Sequence, residues 1–104
     1  MKHKDIAGKL LYEGEVLNNE KNGKWIFYNE DSICKVNYYL CGKKIGVWNE
    51  KYSNTLIERK YNEGELEYIL TTYLDKGYKF KINIKDNSEV FYDLDGNIIE
   101  VKRN

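Results

Sequence analysis

The sequence predicts an all-β protein, an antiparallel meander of successive β-hairpin repeats with about nine short strands in an elongated curved sheet. Three observations predict this fold class. Turn-forming residues recur roughly every 8–12 positions, as in antiparallel β proteins. The segments between the turns are rich in tyrosine, isoleucine, valine and other residues that favour strands. A unit of about 22 residues, enough for two strands and two turns, repeats along the chain.

The turns are predicted from glycine, asparagine and aspartate, because the chain contains no proline. An Asp-Gly pair between two apolar runs is the sequence typical of a tight hairpin, and Asp95-Gly96 has this setting. In chain order, the predicted turns are Asn18–Asn19 to Asn22–Gly23, Glu30–Ser32, Cys41–Gly42 to Gly46, Ser53–Asn54, Asn62–Gly64, Asp75–Gly77, Asp86–Asn87 and Asp95–Asn97.

The predicted strands differ in how clearly they alternate. Leu10–Val16 and Cys34–Leu40 alternate loosely, whereas Tyr78–Lys85 alternates throughout, with its rings and isoleucines on one face and its lysines on the other. Such a strand is predicted to have one solvated face. Leu66–Leu74 also fits helical spacing, but its β-branched residues and the strands around it favour a strand.

Length and charge limit the classes of function. A chain of 104 residues is predicted to form a single domain, 1–104. Its 17 basic and 17 acidic side chains balance, which argues against nucleic acid as a partner. No apolar run approaches the ~20 residues of a membrane span, and no secretory signal is recognised. We therefore expect a cytoplasmic protein if the chain is full length, or a secreted or cell-surface protein if a signal peptide was removed.

The sequence offers few residues for catalysis, metal binding or disulfide formation. The sequence contains no phosphate-binding, zinc-protease or serine-hydrolase motif, so we expect no enzyme activity and no cofactor. His3 is the one histidine, at an end expected to fray, so no metal site is predicted. Cys34 and Cys41 are expected to be buried or half-buried free thiols, although a hairpin disulfide between them stays open.

The internal repeat is the most informative feature of the sequence. Gly23-Lys24-Trp25 recurs one repeat later as Gly46-Val47-Trp48, and each copy leads to an apolar pair. A Tyr-x-x-Gly motif then follows, at Tyr39–Gly42 and again at Tyr61–Gly64. Because one hairpin cannot bury its apolar face alone, stacked hairpins are the physical reason for such spacing.

This pattern of G-x-W-x-x-Y, an apolar pair and Y-x-x-G resembles the bacterial variant of the MORN repeat, which is also found in YwqK-type antitoxins. The resemblance covers about four degenerate units over residues 8–101. It implies a curved sheet of hairpins and a non-enzymatic module. It also implies a role as an interaction domain, an antitoxin or immunity protein, or a surface protein, while eukaryotic relatives are linked to phospholipids.

Candidate partner-binding residues come from the repeat aromatics and from one acidic cluster. The aromatics either form the core between hairpins or line a groove for a protein partner. The acidic cluster is either a solvated face or a patch for a basic partner. The candidates are Trp25, Tyr28, Tyr39, Trp48, Tyr52, Tyr61, Glu63, Glu65 and Glu67.

Other charged groups have weaker interpretations. The i, i+2 carboxylates Glu13 with Glu15 and Asp93 with Asp95 are expected on one strand face each. Lys79, Lys81 and Lys85 are expected to form a basic ladder, either solubilising or attracted to an anionic surface.

Three function classes follow. The first is a protein-interaction module that binds a partner, such as a toxin, through an aromatic sheet face. The second is a membrane-surface or lipid-associated module, and the third is a structural repeat protein without a dedicated partner. The sequence leaves open whether the sheet is open or partly closed, and whether the protein is a monomer or a homodimer.

Overall fold

The computed structural model describes residues 1–29 and 32–103, and within them the chain forms eleven β-strands and no helix. The predicted turn at Glu30–Ser32 lies mostly outside the described residues. In chain order the strands are β1 Lys2–Lys4, β2 Leu10–Leu17, β3 Glu20–Asn29, β4 Ser32–Leu40, β5 Lys43–Lys44, β6 Gly46–Lys51, β7 Thr55–Asn62, β8 Glu65–Tyr73, β9 Tyr78–Asn83, β10 Ser88–Asp93 and β11 Ile98–Arg103.

All strands belong to one antiparallel sheet in which spatial order follows chain order. The short β5 pairs with β4 beside the main path, and β1 and β11 are the two edges. The predicted antiparallel meander is thus confirmed, and the sheet is open and uncurled. Its radius of gyration is 16.2 Å, against about 13 Å for a compact domain of this length, so the molecule is elongated.

Two-residue turns connect several of these strands. Cys41 and Gly42 both have positive φ, as do Glu63 and Gly64, and in each case the flanking residues pair directly across the hairpin. This is the type I′ geometry, whose twist matches that of paired strands. The Tyr-x-x-Gly motif therefore marks a strand end followed by a tight turn.

The structure repeats with the period that the sequence has. The indole N–H of Trp25 donates to the carbonyl of Glu15, and that of Trp48 donates to the carbonyl of Tyr38, each at 3.0 Å. The two donors are one repeat apart, and so are the two acceptors. The backbone amide of Gly42 likewise donates to the carbonyl of Lys21, and the backbone amide of Gly64 donates to the carbonyl of Lys44.

A single layer of sheet cannot bury a core between layers, and the burial reflects this. Trp25, Tyr39 and Trp48 form the one cluster of buried apolar residues in the described chain, with exposures of 2, 9 and 6 %. They are covered by neighbours on the same face. Elsewhere apolar side chains are half-buried or exposed, apart from Val90, which is also buried.

Several local predictions need correction. The N-terminal end, which was expected to fray, is part of the sheet: β1 pairs with β2, and the His3 ring stacks on Tyr12 at 4.8 Å. β9 has no distinct solvated face, because no other described element packs on either side of the sheet and all six of its residues are half-buried. Leu66–Tyr73 is part of strand β8, so the preference for a strand is confirmed.

The two cysteines are both free thiols, as expected. Cys34 is half-buried on β4, and its Sγ lies 3.5 Å from the carbonyl oxygen of Phe27. Cys41 was expected to be at least half-buried, but it is exposed because it lies in the β4–β5 turn. Among the described residues we find no helix with the length and hydropathy needed to cross a membrane.

Candidate functional site

One face of the sheet carries the ring–ring contacts that we identify, and we call it the aromatic face. Residues directly opposite each other on antiparallel strands share a face. Cross-strand pairs such as Tyr12 with Phe27 and Phe80 with Phe91 therefore place the rings of successive strands on the same side. The aromatic face consists of His3, Tyr12, Trp25, Phe27, Tyr39, Trp48, Tyr61, Tyr73, Tyr78, Phe80 and Phe91.

The N-terminal part of this face is a continuous row of rings. Tyr39 lies between the two indoles, with ring centroids 6.5 Å from Trp25 and 5.1 Å from Trp48. Tyr61 continues the row at 4.6 Å from Trp48, and Tyr12 extends it on the other side at 6.0 Å from Trp25. The row runs across the strands, so it ties successive hairpins together.

Lysine side chains lie over this row at the repeat period. The ammonium of Lys21 is 5.0 Å from the ring of Trp25 and 5.1 Å from that of Tyr39. Lys44 stands 5.2 Å from both Trp48 and Tyr61. At these distances each ammonium is attracted to the ring faces while its stem covers them. The outer surface of the row is therefore both apolar and positively charged.

The two lysines could have been found from the sequence, because they too are separated by one repeat, like the two indoles that they cover. The predicted repeat rests on aromatic, glycine and apolar-pair positions and does not include these lysines. Tyr12 and Phe27 are not among the predicted binding residues either. Phe27 is two positions from Trp25 and directly opposite Tyr12, so strand alternation and pairing place both rings on this face.

A charged pair lies beside Trp48 on the same face. Arg59 is directly opposite Trp48, and its guanidinium donates to the carboxylate of Glu50. Burial of Glu50 acts to raise its pKa, but the hydrogen bond from Tyr52 and the charges of Arg59 and Lys35 outweigh it and lower the pKa. Glu50 is thus held as a carboxylate, and it fixes the Arg59 side chain next to the indole.

The C-terminal part of the aromatic face is a second, looser cluster. Phe80 and Phe91 have ring centroids 4.8 Å apart, and Tyr73 and Tyr78 are 5.1 Å apart. All four rings are half-buried. Lys76 lies over Tyr73 and Lys102 over Phe91, so lysines also cover rings here.

The structure brings together four of the six predicted aromatics. Trp25, Tyr39, Trp48 and Tyr61 share the row, and the first three are buried, which is the core interpretation of these positions. Their role in binding stays a prediction.

The other two predicted aromatics lie elsewhere. Tyr28 has its hydroxyl bonded to Glu13 at 2.6 Å, on the opposite face from Trp25. That hydrogen bond, with smaller contributions from burial and the Glu13 charge, raises the pKa of Tyr28. Tyr52 follows β6, is 54 % exposed and hydrogen-bonds Glu50.

The three predicted acidic residues do not share one strand face. Glu63 lies in the β7–β8 turn, whereas Glu65 and Glu67 lie on β8. Glu67 pairs loosely with Lys60 at 3.8 Å. Glu65 and Glu67 line an open cavity of about 610 Å³, together with Asp86 and Lys85. The wall of this cavity is therefore mainly acidic.

The paired carboxylates at the chain's two ends have different outcomes. Glu13 and Glu15 share one face of β2, as predicted, and both line a shallow open cavity with Lys24. Asp95, by contrast, lies in a turn, where its amide donates to the carboxylate of Asp93. The pKa of Asp93 is lowered because the backbone N–H of Asn97, above all, donates to its carboxylate. The Asp93 carboxylate therefore stabilises the β10–β11 turn.

The predicted lysine ladder forms only in part, because Lys79 and Lys81 share one face of β9 but Lys85 lies outside the strand. Lys79 and Lys81 are half-buried on β9, and Lys81 lies 4.4 Å from the ring of Tyr68 on the face opposite the aromatic one. Lys85 lies beyond β9 in the next turn. The three ammonium groups therefore do not present one continuous basic surface.

Among the described residues no group of three or more histidine, cysteine, aspartate or glutamate side chains is placed to hold a metal ion. What the arrangement offers chemically is a broad apolar and cationic surface on one side of a thin sheet. The sequence matches no protein-family model and no curated protein, so this surface is the basis on which a function can be proposed.

Proposed function

We propose that this chain is a non-enzymatic protein-interaction module that binds a protein partner through its aromatic face. The observation that carries the proposal is the position of the rings. They line one side of a single-layer sheet over which the described chain places no second layer. Extended half-exposed apolar surfaces of this kind are typical of interaction sites.

The residues that a partner would touch are those at the outer surface of the face. Because Trp25 and Trp48 are buried, a partner would contact the lysines above them and half-buried rings such as Tyr12 and Tyr61. Tyrosine suits this position because its ring buries area while its hydroxyl stays hydrated.

The charge of this surface suggests the chemistry of the partner. Lys21 and Lys44 hold their ammonium groups above the ring row, so a partner with carboxylates around an apolar centre would be complementary. This differs from the basic partner inferred from the acidic cluster. The aromatic face supports an acidic partner better, since its rings and lysines form one extended surface, whereas Glu63, Glu65 and Glu67 do not share one strand face.

The resemblance to MORN-like repeats and YwqK-type antitoxins suggests a more specific version. In it, the chain is an antitoxin or immunity protein and the partner is a toxin. A small non-enzymatic domain that covers a partner with one broad face is compatible with that role.

The test uses two matched variants on the same strand. Lys21 and Lys24 are both exposed on β3, but they are an odd number of positions apart, so they point to opposite faces. We expect Lys21→Glu to weaken capture of a stoichiometric protein partner from cells of the source organism by at least tenfold. Lys24→Glu should leave capture unchanged. Circular dichroism of both variants checks that the fold is retained.

Equal capture by the two variants would contradict the aromatic face as the binding surface. If the captured protein is toxic when produced alone and harmless when produced with this chain, the antitoxin version is supported. The membrane-surface alternative has one observation in its favour, the lysines over rings on a flat face. Under this alternative, the natural chain and the Lys24→Glu variant would bind anionic vesicles in a salt-sensitive way and would capture no defined protein.

A further inference from the structure

Strand β11 presents an unpaired edge with exposed apolar side chains. Within the described residues, its inner side pairs with β10 and its outer side pairs with no strand. All six of its residues are exposed, and Ile98 and Ile99 are each 63 % exposed. Such an edge offers free backbone donors and acceptors beside apolar side chains, which is a template for another strand.

The opposite edge of the sheet is quite different. β1 has only three residues, and two of them are lysines. Short, lysine-bearing edges are a common means of preventing strand addition. The sheet therefore has one protected edge and one open edge, which makes head-to-tail growth from β11 to β1 unfavourable.

We propose that β11 pairs antiparallel with β11 of a second copy of this chain, forming a symmetric dimer with a continuous sheet. The charge pattern of β11 specifies the register. With Val101 on the two-fold axis, Val101 lies opposite its own copy. Glu100 of each chain then lies opposite Lys102 of the other, on the part of β11 that pairs in regular register.

The two ion pairs that this register creates have no equivalent in the single chain. Glu100 lies opposite Phe91 on β10, and no ion pair of Glu100 is found among the described residues. Lys102 lies opposite Glu89, and its ammonium is over the ring of Phe91. Opposite charges directly across a strand pair favour one register over its neighbours.

The two-fold axis of this dimer is normal to the sheet, so the aromatic faces of the two copies lie on the same side of the continuous sheet. Glu100 and Lys102 lie on the aromatic face, because their β10 partners Phe91 and Glu89 do. The dimer therefore has one aromatic face of twice the length. The interface is isologous and closed, so assembly stops at two copies.

Sedimentation of the 104-residue chain over a range of concentrations tests the proposal. We expect a reversible monomer–dimer equilibrium for the natural sequence. Glu100→Lys places lysine opposite Lys102 twice per dimer, so we expect dimerisation to weaken by about tenfold or more. The double exchange E100K/K102E restores opposite charges in the same register and should recover most of the loss.

A control substitution of the same type is available far from this edge. Glu63→Lys changes an exposed residue of the β7–β8 turn and should leave the equilibrium unchanged. Circular dichroism and thermal unfolding of each variant show whether the monomer stays folded. A monomer at every concentration would overturn the proposal, as would a dimer equally sensitive to Glu63→Lys and Glu100→Lys.

A second measurement tests the axis directly. In a background with Cys34→Ser and Cys41→Ser, Val101→Cys places a thiol opposite its own copy, and mild oxidation should give a disulfide-linked dimer. Glu89→Cys in the same background lies one strand away from the edge and should give little linked dimer. Equal linkage of the two variants would contradict the register.

Discussion

The N-terminal and C-terminal parts of the aromatic face bury their rings to different extents. Both lack a second layer within the described chain, yet Trp25 and Trp48 are nearly inaccessible, whereas the phenyl rings of Phe80 and Phe91 stay half-exposed. The difference teaches that burial in a single layer depends on the size of each side chain and on what lies beneath and above it. An indole with backbone below and a lysine stem above is covered without any second layer.

What lies beneath Trp25 is Gly14. The indole lies so close to this backbone that a Cβ at position 14 would be 2.1 Å from Cδ2 of Trp25. In the second unit the equivalent position, one repeat further along the chain, is Asn37, which lies directly opposite Trp25 and is 2 % exposed. The position beneath the indole of the first unit is thus a glycine, whereas its repeat equivalent is a buried asparagine.

Truncation of the rings should show the largest difference between the two parts. We expect Trp48→Ala to lower the free energy of unfolding by about 3–5 kcal/mol, because it removes a buried ring and leaves a cavity. Phe91→Ala should cost about 1–2 kcal/mol, because its ring is already half-exposed. Urea unfolding measures both, and equal losses would contradict a core concentrated in the N-terminal part.

Substitution of Gly14 should be nearly as damaging. Gly14→Ala forces the indole of Trp25 away from the backbone and breaks its hydrogen bond to Glu15, so we expect a loss of about 2–3 kcal/mol. Gly96→Ala is the matched control, since a Cβ there meets no atom within 4 Å and only the turn conformation is strained. A smaller loss at position 14 than at position 96 would contradict the close approach.

Substitution of the buried Asn37 should raise the free energy of unfolding. The side-chain oxygen of Asn37 is buried and has no hydrogen-bond partner among the described residues, which is costly. Asn37→Thr keeps nearly the same volume and adds a residue that favours strands, so we expect a gain of about 1 kcal/mol. Urea unfolding is again the measurement. A loss of similar size would indicate that a bound water satisfies the amide.

The smallest effect concerns alkaline pH and the opposite face. Burial, followed by the hydrogen bond to Glu58, raises the pKa of Tyr68 from 10.0 to about 12. The folded state therefore holds this proton more tightly, and its contribution is complete below about pH 10 and lost as the pH rises towards 12. Tyr68→Phe should lose less stability between pH 9 and pH 11 than the natural chain in urea titrations. An identical decline would exclude this contribution.

Much of the fold could be predicted from local chemistry. Turn residues such as Cys41-Gly42 and Asp95-Gly96 set the hairpins, and hairpins in succession leave little choice but a meander. The repeat placed Trp25 and Trp48 in equivalent positions, and each indole N–H donates to the carbonyl of an equivalent residue, although that of Trp48 also donates to Ile45.

The face that each side chain occupies was less predictable. The repeat motif grouped Tyr28 with Trp25, but the two are an odd number of positions apart on β3, so Tyr28 lies on the opposite face from the ring row. The glutamates do not align because Glu63 lies in a turn and a bulge near Tyr61 interrupts the register of β8. β1 was missed because Lys2–Lys4 has no apolar residue, and it is held by pairing and by the stack of His3 on Tyr12. Such features depend on contacts between distant residues.

The strict order of the meander also has a consequence for folding. Because each strand pairs only with strands next to it in the chain, apart from the short β5, the contacts are local and the contact order is low. We expect rapid folding that begins in the hairpins around the two indoles and spreads outward. Amide hydrogen exchange should then slow from the edge strands towards β3–β7, so that the protein has a gradient of local stabilities along its length.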